Sequence, residues 1–228
     1  MRAAARIVAE REGARTVLRV LKGEAPLLPR RTGAHSVHLV GGAAGPLGGD
    51  ELSLELEVGP GAELWVHTVA ASIALPGRDG AESVLSVHAT VGEGGFLAFL
   101  PEPIVAAARC RHHNVSTVDL NRTARLLWRE EAVFGRYGEA PGDLRLSTTI
   151  RRESRPWYRS DFTADSGPAV LGGARVLATL VRTDQAQVPA THRAAVMALV
   201  QGGVAVTALG DDLTETRAVT DPLITPAL

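Results

Sequence analysis

The chain offers few covalent anchors and no surplus charge. One cysteine, Cys110, occurs in 228 residues, so no internal disulfide can form, and a reducing compartment fits. Lys22 is the one lysine; every other basic side chain apart from histidine is arginine, a bias that a GC-rich genome explains. Lys and Arg number 24 against 25 Asp and Glu, and the formal net charge is -1. A nucleic-acid binder needs a clustered basic excess and an anionic membrane surface needs a polybasic run; the chain has neither. No apolar stretch approaches the roughly 20 residues that cross a bilayer as a helix. The opening MRAAAR begins like a secretion signal, but Glu10-Arg11-Glu12 stands where the apolar region should be. These absences predict a soluble cytoplasmic protein with no nucleic-acid and no membrane partner. Aromatics are 4% of the chain, so its 45% hydrophobic content is mostly Ala, Val and Leu, enough for a core at this length. No linker divides it, and a single domain over residues 1–228 is expected.

What is present is a recurring strand–turn–strand unit. Residues 51–58 (ELSLELEV) alternate polar and apolar, turn at 59–62 (GPGA) and continue into 63–66. Residues 83–91 (SVLSVHATV) alternate again, turn at 92–95 (GEGG) and enter 96–100 (FLAFL). Residues 115–120 turn at 121–124 (NRTA) into 125–128, and residues 148–152 followed by Pro156-Trp157-Tyr158 form a looser fourth copy. A period of two buries one face of a strand, and a short turn between two such runs makes a hairpin or a tight corner. Recurrence at about thirty residues predicts units that stack on one another. The expected fold is mainly β and β-helix-like, with one or two short helices near the C-terminus.

Elsewhere, residues 3–10 and 15–21 read as a strand pair, 22–32 as irregular around Pro26 and Pro29, and 36–40 as a short strand. Residues 174–182 and 203–209 read as strands. Residues 189–201 (PATHRAAVMALVQ) predict a helix: Pro189 suits its start, Val196, Leu199 and Val200 share a stripe, and Gly202-Gly203 would end it. From Arg217 onward, two prolines predict a loose tail.

Three motifs carry chemistry. The loop at residues 41–50 (GGAAGPLGGD) is glycine-dense, but it leads into a strand and lacks both the dinucleotide spacing and a Gly-Lys-Ser/Thr end. It reads as a corner rather than a phosphate cradle. Cys110-Arg111-His112-His113 contains borderline metal ligands. Adjacent His112 and His113 point to opposite faces of a strand, whereas Cys110 and His112 share one. No second ligand pair follows, so no high-affinity metal site is predicted, and Cys110 and His112 are weak candidates. The same pair could act as nucleophile and base, which makes a small cytosolic hydrolase, with Cys110/His112 or a bound metal, the alternative from another class. A β-helical interaction module unrelated to nickel is a third reading. Residues 134–139 (FGRYGE) place Arg136 and Glu139 at a two-glycine corner, and Asp143 follows.

Taken in order, four segments resemble the UreD (UreH) family of urease accessory proteins. They are Gly48-Gly49-Asp50-Glu51-Leu52, then Val58-Gly59-Pro60-Gly61-Ala62 leading to His67-Thr68. Gly94-Gly95-Phe96-Leu97-Ala98-Phe99-Leu100-Pro101-Glu102 follows, and Phe134-Gly135-Arg136-Tyr137-Gly138-Glu139 completes the set. His67 stands where the family has the first of two threonines, and Ser72-Ile73-Ala74-Leu75 where it has Thr-Lys-x-Tyr. The family's acidic position after Gly-Arg is Glu139 or Asp143. The resemblance implies a scaffold, not an enzyme. It would bind UreF, recruit UreG through UreF, dock on apo-urease and help insert Ni²⁺ beside a carbamylated lysine. A homodimeric accessory complex and an internal hydrated passage for the ion go with that reading. No tightly bound cofactor is implied, only Ni²⁺ in transit. Scattered carboxylates and hydroxyls release a borderline cation more readily than a Cys/His cage does. On that logic the candidate passage or interface residues are Asp50, Thr68, Ser72, Arg136, Glu139 and Asp143.

Overall fold

The computed structural model describes residues 1–164, 168–185, 191 and 193–224. The chain opens with two antiparallel pairs, β1 (Arg2–Glu12) with β2 (Arg15–Gly23) and β3 (Leu27–Arg31) with β4 (Ser36–Gly41). The stretch expected to be irregular therefore contains β3; Pro29 is tolerated because this strand lies at a sheet edge. Three coils follow: β5 (Glu51–Val58) into β6 (Glu63–Thr68), β8 (Ser83–Val91) into β9 (Phe96–Leu100), and β11 (Arg111–Leu120) into β12 (Arg125–Phe134). Short strands β7 (Ser72–Ala74) and β10 (Ile104–Ala106) lie between coils.

The coils stack in parallel register. Glu51 pairs with Val84, Val84 with His113 and His113 with Arg145 in one sheet. Glu63 pairs with Phe96, and Phe96 with Arg125, in the other. Each corner closes with the same turn: the amides of Ala62, Gly95 and Ala124 donate to the carbonyls of Gly59, Gly92 and Asn121. In the first, Pro60 precedes Gly61 at φ 64°, the residue pair that a type II turn selects. These turns are corners that carry the chain from one sheet to the other, and the result is a β-solenoid.

The seven-stranded sheet runs β14-β13-β11-β8-β5-β1-β2. The ten-stranded sheet runs β16-β17-β15-β12-β9-β6-β4-β3, with β7 and β10 as a short third row paired to the end of β12. The fourth copy is different. β13 (Asp143–Arg152) and β14 (Arg155–Ala164) form a hairpin within one sheet, because Glu153 and Ser154 both take positive φ in a two-residue loop of the kind that reverses a twisted strand.

The C-terminal part corrects the sequence reading. After a one-turn helix α1 (Pro168–Leu171), β15 (Val176–Arg182) and β17 (Val204–Gly210) extend the ten-stranded sheet. The stretch expected as a helix instead contains β16 (Ala194–Ala198), the edge strand beside β17; Pro189, Ala190 and His192 lie outside the described residues. The Gly202-Gly203 pair reverses the chain instead of capping a helix, and Gly203 lies at φ 97° with Trp157 packed where a side chain would go. The real helix is α2 (Leu213–Thr220), capped by Asp212, whose carboxylate accepts from the Glu215 amide at 3.0 Å. The expected loose tail therefore begins inside a helix. A 3-10 turn follows at Asp221–Leu223, and residues 225–228 lie outside the described residues.

Inward side chains between the sheets form two apolar clusters. One gathers Ile7, Leu56, Leu64, Leu97, Trp128 and Ile150 with their neighbours; the other gathers Cys110, Ala132, Phe134, Leu144 and Leu177. Each fully buried Leu or Ile among them contributes roughly 1.5–3 kcal/mol relative to exposure. A third cluster lies outside the ten-stranded sheet, where Leu223 and Val219 cover Leu100, Leu127, Leu180 and Val206.

Candidate functional site

Between the two inner clusters runs a polar seam. Along β12 the inward positions are Leu126, Trp128, Glu130, Ala132 and Phe134, and Glu130 falls where one cluster gives way to the other. Opposite it, Ser116 of β11 and Thr148 of β13 sit at the same boundary. Both donate to Glu130: Ser116 Oγ to Oε1 at 3.0 Å, and Thr148 Oγ1 to Oε2 at 2.7 Å. The carboxyl thus bridges the sheets. Burial pushes its pKa up, while the hydroxyls of Thr148 and Ser116 act against that shift.

The seam continues toward the heads of the strands. His112 is buried, with Nδ1 2.8 Å from Ser83 Oγ and Nε2 2.7 Å from Asn114 Oδ1. Burial holds its pKa down, against the opposing hydrogen bond to Asn114. Asn114 and Glu130 face inward yet keep part of their surface accessible to water. His113 points outward to Ser147, so the two histidines do take opposite faces.

Of the residues singled out in the sequence, Asp50 is buried at the head of β5. Its Oδ2 accepts from the Leu47 amide at 2.8 Å, and its Oδ1 lies 2.7 Å from the Met1 amino nitrogen. Its carbonyl accepts from the Val84 amide at 2.8 Å, next to Ser83, which pairs with His112 in the ladder; all three are buried. Thr68 ends β6; its Oγ1 donates to the Ala70 carbonyl and accepts from the Glu102 amide at 2.9 Å. Ser72 is exposed at the head of β7, its amide bonded to the Pro103 carbonyl.

Arg136 and Glu139 form an ion pair at the corner after β12, where Glu139 also accepts from the amides of Arg136 and Ala108. The Arg136 guanidinium, with those amides, draws the Glu139 carboxyl down to about 2. Arg175 fixes the same corner by donating to the carbonyls of Gly135 and Arg136. Asp143 is exposed at the head of β13, and its amide donates to the Cys110 carbonyl at 2.8 Å. The fold therefore gathers Arg136, Glu139, Asp143 and Cys110 at one corner, and places Asp50 in a separate turn.

Cys110 is buried, and burial, reinforced by Asp143, pushes its thiol up to about 11. Both His112 ring nitrogens are occupied by Ser83 and Asn114, so the pair is not arranged as a nucleophile and base. Concavities of about 480 and 590 Å³ are lined by neither residue. Among the described residues no three His, Cys, Asp or Glu side chains converge as a metal cage.

Sequence reading missed Glu130, Ser116, Thr148, Ser83 and Asn114. The signal was available for Glu130: with β12 ended at Trp128, the next inward position was never inspected, although a carboxylate two residues beyond a buried tryptophan breaks the apolar alternation.

The family model described as UreD urease accessory protein matches residues 1–227. The chain belongs to the UreD urease accessory protein family. It is 40% identical to the urease accessory protein UreD of Streptomyces avermitilis, over 97% of this chain and 95% of that one. It is 39% identical to the protein of that name from Streptomyces coelicolor, over 97% and 94% of the two chains. With the UreD of Parafrankia sp. the identity is 37%, over 98% of this chain and 88% of the relative. No described helix is long and apolar enough to cross a membrane.

Proposed function

We propose that this chain is a non-catalytic cytoplasmic scaffold of urease maturation, which binds UreF, recruits UreG through it, docks on apo-urease and lets Ni²⁺ pass along the polar seam. Family membership supports the accessory role. The observation that carries the passage is that Asn114 and Glu130 face the space between the sheets and still meet water, in line with the hydroxyls of Ser116 and Thr148. Oxygen donors spread along a hydrated path hold a borderline cation loosely enough to release it. His112, hydrogen-bonded at both ring nitrogens, and the buried Cys110 thiol offer no competing trap.

The test has two arms. Co-purification with UreF, UreG and apo-urease should recover all four chains, and failure to retain UreF or urease would overturn the scaffold. Asp50→Ala and Glu130→Gln should leave that assembly intact and lower the nickel content of the urease it matures. Full nickel content with both variants would remove the seam as the route and leave the scaffold standing.

A further inference from the structure

At the end of the solenoid the inward column beside the corners changes character. Its members are Val58, Val91 and Leu120, ladder neighbours in the seven-stranded sheet, and the next residue in the same column is Arg152. Arg152 closes the hairpin of β13 and β14, and its partner across that ladder is Arg155. Directly opposed residues of two strands share a face, and like charges so placed repel.

Neither charge is answered. Arg151 and Arg159, their neighbours in the same hairpin, pair with Asp119 and Asp161 at 3.5 and 3.0 Å, whereas Arg152 and Arg155 have no carboxylate within salt-bridge distance among the described residues. Glu153, next in the chain, is exposed in the turn at positive φ. Arg152 is half-buried, and its Nε meets neither water nor an acceptor. Burial draws its pKa down and the Glu153 charge acts against that, yet a guanidinium keeps its proton at neutral pH. Trp157 lies against it: the ring is 8% exposed, with its centroid 4.7 Å from the Arg152 guanidinium carbon. The indole N–H is also buried without an acceptor. Orphan donors of this kind call for an acceptor, an ion included.

We propose that Arg152, Arg155 and Trp157 form a binding site for a phosphate group. Two guanidiniums side by side match a dianion better than a singly charged carboxylate, and the arginine fork grips phosphate oxygens through paired N–H bonds. A further oxygen is the acceptor that the indole N–H lacks. The ion arrives from the solvent side, where Arg155 is exposed, and the long Arg152 side chain turns to receive it. The fully buried Ile150 stands between Arg152 and Thr148 on the inward face of β13, so the inference does not depend on the passage.

Inorganic phosphate titrated into the ¹⁵N-labelled full chain tests it. The chain has three tryptophans, and the Trp157 indole resonance is the one missing from Trp157→Phe. In wild type it should move saturably with phosphate while those of Trp65 and Trp128 stay in place, and chloride at the same ionic strength should leave it still. By calorimetry, Arg152→Gln and Arg155→Gln should each weaken phosphate binding by roughly ten-fold or more, as loss of a charge-assisted hydrogen bond does. Arg159→Gln, which removes an arginine already paired with Asp161, should leave the affinity unchanged. Methyl phosphate separates the sources: binding tighter than inorganic phosphate assigns the site to a phosphate carried on a larger molecule, and weaker binding to the free ion. A Trp157 resonance that stays in place, or that moves as far with chloride, would overturn the proposal. So would acetate binding as tightly as phosphate, or isotherms of both arginine variants that overlay wild type.

Discussion

Thr148 Oγ1 donates to Glu130 Oε2 at 2.7 Å across the gap between the two sheets, so a hydroxyl of the last solenoid strand holds a carboxyl of the opposite wall. Removing the donor leaves that carboxyl without one of its two hydroxyl partners. Thr148→Val should cost about 1–3 kcal/mol in urea denaturation, and Ser116→Ala a similar amount. In the Glu130→Gln background the cost of either change should shrink. Equal costs in both backgrounds would show that the hydroxyls act through packing alone.

Glu130 sets a pH dependence of defined sign. Burial raises its pKa in the folded chain, so the folded state binds this proton more tightly than the unfolded one. Its contribution is complete below the unfolded pKa and is lost as pH rises through the folded value. Wild type should therefore lose stability relative to Glu130→Gln as pH rises above the ordinary glutamate range. A stability difference that stays constant over this rise would rule out a titrating Glu130.

Arg217 ties α2 to the sheet. Its guanidinium reaches the fully buried Glu131 carboxylate at 2.7 Å and Glu102 at 2.9 Å. Arg217→Ala leaves Glu131 with Arg129 at 3.6 Å as its remaining cation, and should cost roughly 2 kcal/mol. Amide exchange in Leu213–Thr220 should accelerate, while that of β5 and β8 should not. Unchanged exchange in the helix would mean that its apolar contacts alone hold it.

The Cys110 thiol, pushed up to about 11 and buried, should resist alkylation. Iodoacetamide at about pH 8 should label the native chain far more slowly than the urea-unfolded chain. Rapid native labelling would contradict the packed corner in which Gly142 lies against Cys110.

The solenoid was legible because a two-residue alternation is a local property, written three times with the same turn behind it. The strands 83–91 and 96–100 emerge with the boundaries the pattern assigns them. Boundaries failed where a strand's outer face is also covered: Arg129 and Glu131 look like solvent-facing charges, yet they are buried under α2 and the C-terminal turn. The helix expected over residues 189–201 failed because Val196, Leu199 and Val200 fit a helical stripe, while β17 offered an open edge that β16 fills. Local periodicity cannot register a partner strand supplied by the rest of the sheet.

The chain's own residues determined which faces of its strands turn inward, where the corners fall and that neither a disulfide nor a basic surface is available. Only the tertiary structure decided that Ser116, Glu130 and Thr148 meet, and that His38 stacks on His67, since both arrangements join side chains of different strands. The register of stacked coils, fixed by packing one coil on the next, sets those encounters, and no single stretch of sequence contains it.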